Sequence, residues 1–333
     1  MMKKKDTYTV ATLCYTYNQA SYIEDALNGF AIQNTSFPVV FIIIDDASTD
    51  GEQGILRDWS NANLVCIKEA GCYTEEKPYG TVLFLRHKDK ENSFFVLLLL
   101  SKNLYRRPDL KLSYIKEWYD DAKYFAFCEG DDYWTNPNKL QIQVDFLDNH
   151  KDYSASAHQS QCIGARSGYF YENVPQILTM NDVLSNARLF HTASIVYRAS
   201  GYRDLPPMNM PIVSGDKLEI LKLSYLGLIR YFEDCMGVYR VHSTGMSSVV
   251  KLKDIKKDRN IMVYMKSIYP QFPKYRFLSF LYGTFALYPK DVSIIQKVYY
   301  LFLSFVLSFS YFPTNIKDLA KKIRRHYHLK HLM

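Results

Sequence analysis

A chain of 333 residues that is 48% apolar has length for one large domain, or for a catalytic domain with a smaller appendage, and its composition excludes a disordered polypeptide. Aromatic residues make up 15% of it, 28 of them Tyr, a side chain suited to half-wet surfaces and to stacking on sugars or bases. The net charge of +7 is uneven: residues 251–333 carry 16 Lys and Arg against 4 Asp and Glu, which leaves residues 1–250 at about −5 and points the basic end toward a phosphate-rich partner.

Residues 7–14 (TYTVATLC) are β-rich. Ile23, Ala26, Leu27, Phe30 and Ala31 then recur at helical spacing, with Ser21 and Glu24 placed as a capping box. Residues 39–44 (VVFIII) form the continuous apolar run of a strand covered on both faces, and end in the polar turn DDASTDG. Residues 54–59 predict a second short helix. Strand, helix, strand, turn, helix is the opening of a doubly wound α/β domain.

Residues 64–68, 81–86 and 94–100 read as further strands, 103–108 as a polar break and 113–122 as a helix. Residues 123–128 (KYFAFC) form a strand running straight into EGDDYW, and residues 139–147 an amphipathic helix. Residues 151–214 are mixed, with a strand candidate at 192–197 (TASIVY) and a Pro-rich loop at 205–211. A helix over 216–226 ends at Gly227, before short strands at 228–231 and 238–241.

After about residue 258 the texture changes. Residues 275–288 and 292–312 are apolar nearly all round, and the basic run KDLAKKIRRHYHLKH follows. The second stretch is barely long enough to span a bilayer and holds Gln296 and Lys297 near one end. Peripheral attachment to an anionic membrane surface through residues 275–333 is favoured over a true span; packing against the catalytic domain competes with both. No nucleic-acid-binding module is recognisable. The six Cys show neither CxxC nor zinc-finger spacing and read as reduced, as in a cytosolic chain. The N-terminus MMKKKDTYTV lacks the apolar stretch of a secretory signal.

Two acidic pairs stand at predicted strand ends, where open α/β sheets bind their ligands. Asp45-Asp46 serves either as a turn and helix cap or as an acceptor for base and ribose hydrogen bonds. Asp131-Asp132 is costly in like-charge repulsion unless a cation lies beside it, and a hard divalent ion with a diphosphate is its natural partner. Trp134 offers an apolar face close by. Asp216 opens a helix, either as its cap or as a general base. Arg240 and His242 close a short strand, as structural residues or as phosphate and metal contacts.

The order TYNQ, FIIIDDASTDG, YFAFCEGDDYWTNPNKLQIQVDFL, HTASIVYR, SGD and MGVYRVH, spread over residues 7–250, resembles bacterial family 2 glycosyltransferases of the surface-polysaccharide type. The resemblance implies a GT-A fold: a Rossmann-like, mostly parallel sheet flanked by helices, here with a C-terminal helical appendage. It implies a catalytic domain over 1–250, nucleotide-sugar half to about 135 and acceptor half beyond, followed by the helical region 251–333. Tyr15, Asn18, Asp46, Asp131 and Arg240 are then expected at the nucleotide sugar, and Asp132 and His242 at Mn²⁺ or Mg²⁺. Asp216 is the expected catalytic base and Trp134 an acceptor-side aromatic.

The implied reaction is an inverting transfer from a nucleoside diphosphate sugar, UDP-linked by default, to a glycan or lipid-linked glycan hydroxyl in capsule or related polysaccharide synthesis. Its expected location is the inner face of the cytoplasmic membrane. A non-catalytic sugar-nucleotide-binding module of the same fold is the alternative. An all-helical prenyl-transfer enzyme fits poorly, because its acidic motif lies mid-helix and DDASTD here ends a β-rich run. The chain departs from the family in having Tyr15 where many members have Pro, a long connection over 72–112, and Gly215-Asp216-Lys217 in place of GDW.

Overall fold

A computed structural model describes residues 8–105, 107–185, 189–242, 251–287, 289 and 291–309. The chain forms two compact units, one of residues 1–176, 190–201 and 229–241, the other of 177–189, 202–228 and 242–333. The polypeptide therefore passes between units several times rather than once near residue 250.

The first unit opens as expected with β1 (Val10–Thr16), α1 (Ile23–Ala31), β2 (Val39–Asp45) and α2 (Glu52–Asn63). All of β2 is buried, which is why its sequence shows no polar alternation. β1 and β2 run parallel, Val10 opposite Val39 through Thr16 opposite Asp45. The long connection that follows folds as β3 (Leu64–Val65), β4 (Tyr73–Lys77), β5 (Gly80–His87) and β6 (Ser93–Leu100), then α3 (Pro108–Tyr119). β6 is parallel to β2, while β5 turns back antiparallel along β6. β7 (Tyr124–Phe127) flanks β1 in parallel on its other side.

Next come β8 (Tyr133–Trp134), α4 (Lys139–Asn149), β9 (Tyr153–Gly164) and β10 (Gly168–Tyr169). The second unit supplies β11 (Ile177–Leu178) and α5 (Met180–Ser185) before the chain returns in β12 (Val196–Arg198). α6 (Gly215–Leu226) is again of the second unit and leads into β13 (Leu228–Val241). Within the first unit the strand order is β13-β9-β12-β7-β1-β2-β6-β5-β3, a parallel centre with antiparallel margins.

Three local expectations are corrected. The capping box on α1 does not form: Tyr22 is the N-cap and gives no side-chain bond. The two short strands at 228–231 and 238–241 are one strand, β13, hidden by the exposed run Glu233-Asp234-Cys235. At 192–197 only the end is strand, because Thr192–Ser194 form a 3₁₀ turn.

α1 rests on β8 through Gly29. A Cβ there would lie 2.8 Å from both the backbone N and O of Trp134. Ala normally gains about 0.5–1 kcal/mol over Gly in a helix interior. Gly29→Ala is expected to reverse that sign and cost about 1–3 kcal/mol by overpacking. Thermal melting checks it: a Tm raised by Gly29→Ala rules the contact out.

The second unit is mainly helical, with α7 (Leu252–Ile255), α8 (Arg259–Ile268), α9 (Lys274–Leu287) and α10 (Ile294–Ser308) after α6. Buried Asp258 accepts the backbone N–H groups of Val213 and Ser214 and the Ser214 hydroxyl, fixing the approach to α6. α9 and α10 lock through reciprocal bonds: Ser279 Oγ donates to the Ser304 carbonyl (2.7 Å) and Ser304 Oγ to that of Ser279 (2.6 Å). Ser293 and Gln296 form a full capping box on α10. Among the described residues, no helix is long and apolar enough to cross a membrane. The expected basic tail, within 310–333, lies outside the described residues.

Candidate functional site

β1, β2 and β7 end at one edge of the sheet, and their register carries beyond the strands. Cys128 N–H donates to Leu13 O (3.1 Å) and Gly130 N–H to Tyr15 O (3.2 Å), so the loop after β7 stays pinned to the end of β1. That loop brings carboxylate oxygens of Glu129, Asp131 and Asp132 within 4.8 Å of one another. Glu129, from the same EGDDYW run, is the member the sequence reading left unassigned.

Asp132 is fully buried. Its Oδ1 accepts the backbone N–H of Arg240 at 2.9 Å. Its Oδ2 has no hydrogen-bond partner and faces His191 Nδ1 at 3.5 Å. Burial above all, and then the Asp131 charge, push the Asp132 carboxyl well above the usual carboxylate range. A cluster of hard oxygen donors, one of them buried and unsatisfied, fits Mg²⁺ or Mn²⁺.

His191 is the functional candidate that sequence reasoning missed, although it opens the motif HTASIVYR. It is 4% exposed, stacked on Tyr239 (centroids 4.1 Å apart) with Phe170 edge-on at 5.4 Å. Nothing in its sequence context separates it from an ordinary core His; only the fold sets it against Asp132.

Arg240 supports the acidic loop from the other side. Nη1 donates to the Asp131 carbonyl (2.9 Å), Nη2 pairs with Asp25 of α1, and the guanidinium lies 4.7 Å over Tyr133 and 5.1 Å over Tyr22. The residue expected at phosphate thus spends its planar fork on the Asp131 carbonyl and Asp25, and its backbone N–H on Asp132. The expectation for Trp134 is corrected. Its ring is 1% exposed, its Nε1 donates to Ala193 O, Phe30 packs edge-on, and Lys139 Nζ stands 3.9 Å from the ring centroid. This is a core residue that offers no face to an acceptor. Burial lowers the Lys139 ammonium to about 7.

The expected nucleotide loops are zipped together by side chains. Asn18, in the left-handed region at φ 54°, donates its N–H to Ser48 Oγ and accepts the Thr49 N–H on Oδ1. Buried Glu52 accepts from Thr16 Oγ1, the Gln19 N–H and Ser48 Oγ, and burial raises its pKa. Asp46 is 5% exposed and engaged on both oxygens, by Lys111 Nζ (2.9 Å) and by the Leu104 N–H (2.6 Å). Lys111 also stands 5.2 Å from the centre of the Tyr15 ring, whose phenol burial pushes up to about 12. Asp45 Oδ2 is buried without a partner.

Asp216 lies in the second unit, half-buried in the first turn of α6, and its Oδ1 accepts the Lys217 N–H (2.8 Å). Lys217 is buried, donates to the Val183 carbonyl and lies 4.3 Å over Phe280. His242 follows β13, half-buried, and is also assigned to the second unit.

No family model matches the chain. Over 241 residues, 69% of the chain, it is 33% identical to uncharacterized proteins of Mycobacterium tuberculosis and Mycobacterium bovis, and it spans 58% of their length. Among solved structures it is similar to residues 1–349 of Staphylococcus aureus TarS. For the complex with UDP-GlcNAc the TM-score is 0.59 at 17% identity, covering 88% of this chain and 79% of that one. For the complex with UDP the TM-score is 0.55 at 17% identity, with 87% and 77% covered. The chain accordingly has a mixed α/β fold, with a large central sheet, parallel at its centre and flanked by helices, like that of the TarS structures.

Proposed function

We propose that the chain is a glycosyltransferase moving a sugar from a nucleoside diphosphate sugar, UDP-linked in the first instance, to a hydroxyl of a glycan or lipid-linked glycan. The observation that carries this reading is the convergence of Glu129, Asp131 and Asp132 within 4.8 Å at the end of β7, with one Asp132 oxygen buried and unsatisfied. Three carboxylates so close repel one another unless a cation joins them. The fold likeness to TarS, solved with UDP-GlcNAc, supports the donor class.

Asp132, with Asp131 and Glu129, would hold Mn²⁺ or Mg²⁺. When bound, such a cation offsets the charge of the departing diphosphate. Asp216 takes the proton of the acceptor hydroxyl as that oxygen bonds to the anomeric carbon and the bond to the diphosphate oxygen breaks. A single displacement of this kind inverts the anomeric centre. Asn18 and the Ser48–Glu52 network fix the loops that receive the nucleotide.

The test is donor turnover with a panel of UDP-, GDP- and dTDP-sugars and Mn²⁺. Release of nucleoside diphosphate from one donor, abolished by EDTA and by Asp216→Ala in the presence of acceptor, is expected. Nucleotide binding without turnover of any donor or acceptor would leave a binding module; release indifferent to EDTA would remove the metal assignment.

A further inference from the structure

Among the described residues, the face of α10 that turns away from α9 is apolar and uncovered. Tyr300 and Ser304 are buried, Ser304 in its bonds with Ser279 and Tyr300 against Tyr282 and Phe285. Ile294, Ile295, Val298, Phe302, Phe305 and Val306 lie on the other side at spacings of one, three and four, one stripe along the helix. They are far from marginally exposed: Ile294 is 80% and Ile295 82% open, Phe302 60%. Monomeric soluble proteins rarely leave so continuous an apolar stripe in water. Lys297 is the only charged side chain in the helix.

The surroundings of the stripe are cationic. Leu252 N–H donates to Asp291 Oδ1 (2.9 Å), which fastens the start of α7 to the approach to α10. Lys251, Lys253 and Lys257 are exposed there, and Lys256 Nζ stands 5.9 Å from the Tyr300 ring centre on α10 itself. The sequence continues the theme: residues 310–333 hold six Lys and Arg against one Asp. An apolar stripe on a helix whose approach is fastened to the lysine-bearing segment 251–257 matches the boundary between acyl chains and anionic headgroups. It matches a second copy less well, because association through α10 would bring two such lysine clusters near each other. A span is also a poor match, since 15 residues reach about 22 Å against a hydrocarbon core of about 30 Å.

We propose that this face of α10 seats the protein on an anionic lipid bilayer, with the helix lying in the plane of the interface. Ile295 and Phe302 enter the acyl boundary, and Lys251, Lys253 and Lys257, in and beside α7, reach headgroup phosphates. The proposal is independent of the transfer reaction.

The experiment is flotation of the full chain with phosphatidylcholine vesicles, with and without phosphatidylglycerol. Binding to the phosphatidylglycerol vesicles is expected, weakened but not abolished by salt. Phe302→Glu/Phe305→Glu should weaken it by about tenfold or more for each ring withdrawn. A second variant at the other end of the stripe, Ile295→Glu/Val298→Glu, should do the same. All four positions are exposed, so melting temperatures should hold. Equal flotation of the variants, equal binding to neutral vesicles, or no flotation at all overturns the proposal. So does a concentration-dependent dimer in sedimentation that these variants dissociate, since the face would then belong to a second copy.

Discussion

Asp132→Asn is expected to lower metal-dependent donor turnover about 10³-fold or more while raising the melting temperature of the metal-free protein. The two effects have one cause. Asp132 is buried with one oxygen bonded to the Arg240 N–H and the other unsatisfied, beside Asp131. Its charge is therefore a burden on the apo fold and becomes useful only when a cation shares it. Asn keeps the shape and the Arg240 bond and removes the charge. Relief of a buried uncompensated charge is worth on the order of 1–3 kcal/mol.

The sign of the pH dependence follows. The folded-state pKa of Asp132 is raised, so above an ordinary carboxylate pKa of about 4 the folded protein holds a proton that the unfolded chain releases. That contribution to stability is full below the unfolded pKa and is lost as pH rises through the folded one. Melts in EDTA should therefore show stability falling as pH rises over that window for the native protein, with a shallower slope for Asp132→Asn. Divalent cation should restore stability at high pH in the native protein alone. A variant that turns over donor normally, or an apo melt steeper in the variant, defeats the assignment.

What was legible in the sequence follows from what each signal reports. Residues 39–44 announced a strand because a strand covered on both faces admits only apolar side chains, and the acids after it and after residues 123–128 marked the carboxyl edge of the parallel strands. β9 was illegible for the complementary reason. It is buried along nearly its whole length, yet Ser154, Ser156, His158, Gln159 and Ser160 fill it with polar atoms, most of them satisfied inside the fold, as Gln159 Nε2 is by Tyr171 O and His158 Nδ1 by Gln159 O, while His158 Nε2 is buried without a partner. Composition sees polarity and cannot see the partner.

Trp134 failed as an acceptor platform on the same ground: a Trp beside two acids looks the same from sequence whether its ring faces the site or Phe30 and Lys139. His191 and Lys111 were missed because each acts on an acid far away in the chain, Asp132 and Asp46, and single-sequence reading carries no record of pairs at such separation.

Lys111→Met is expected to be among the most damaging substitutions in the first unit, at about 3–5 kcal/mol. The Lys111–Asp46 pair is buried on both sides, with 9% and 7% of the side chains exposed. Removing the ammonium strands the Asp46 carboxylate with the Leu104 N–H as its remaining partner and loosens residues 103–111 from the end of β2. A fall in Tm of roughly 6–20 °C follows from that cost for a unit of this size.

The charge, rather than the lost packing, is the cause if Asp46→Asn/Lys111→Met regains most of the stability, because Asn can still accept the Leu104 N–H and Met fills much of the lysine stem. No recovery in the double variant would place the cost in packing. Where stability does return, donor KM separates the two tasks Asp46 can have. A raised KM at restored Tm gives the carboxylate a role at the nucleotide. An unchanged KM confines it to pinning α3 and its leading loop beside the acids of the sheet edge.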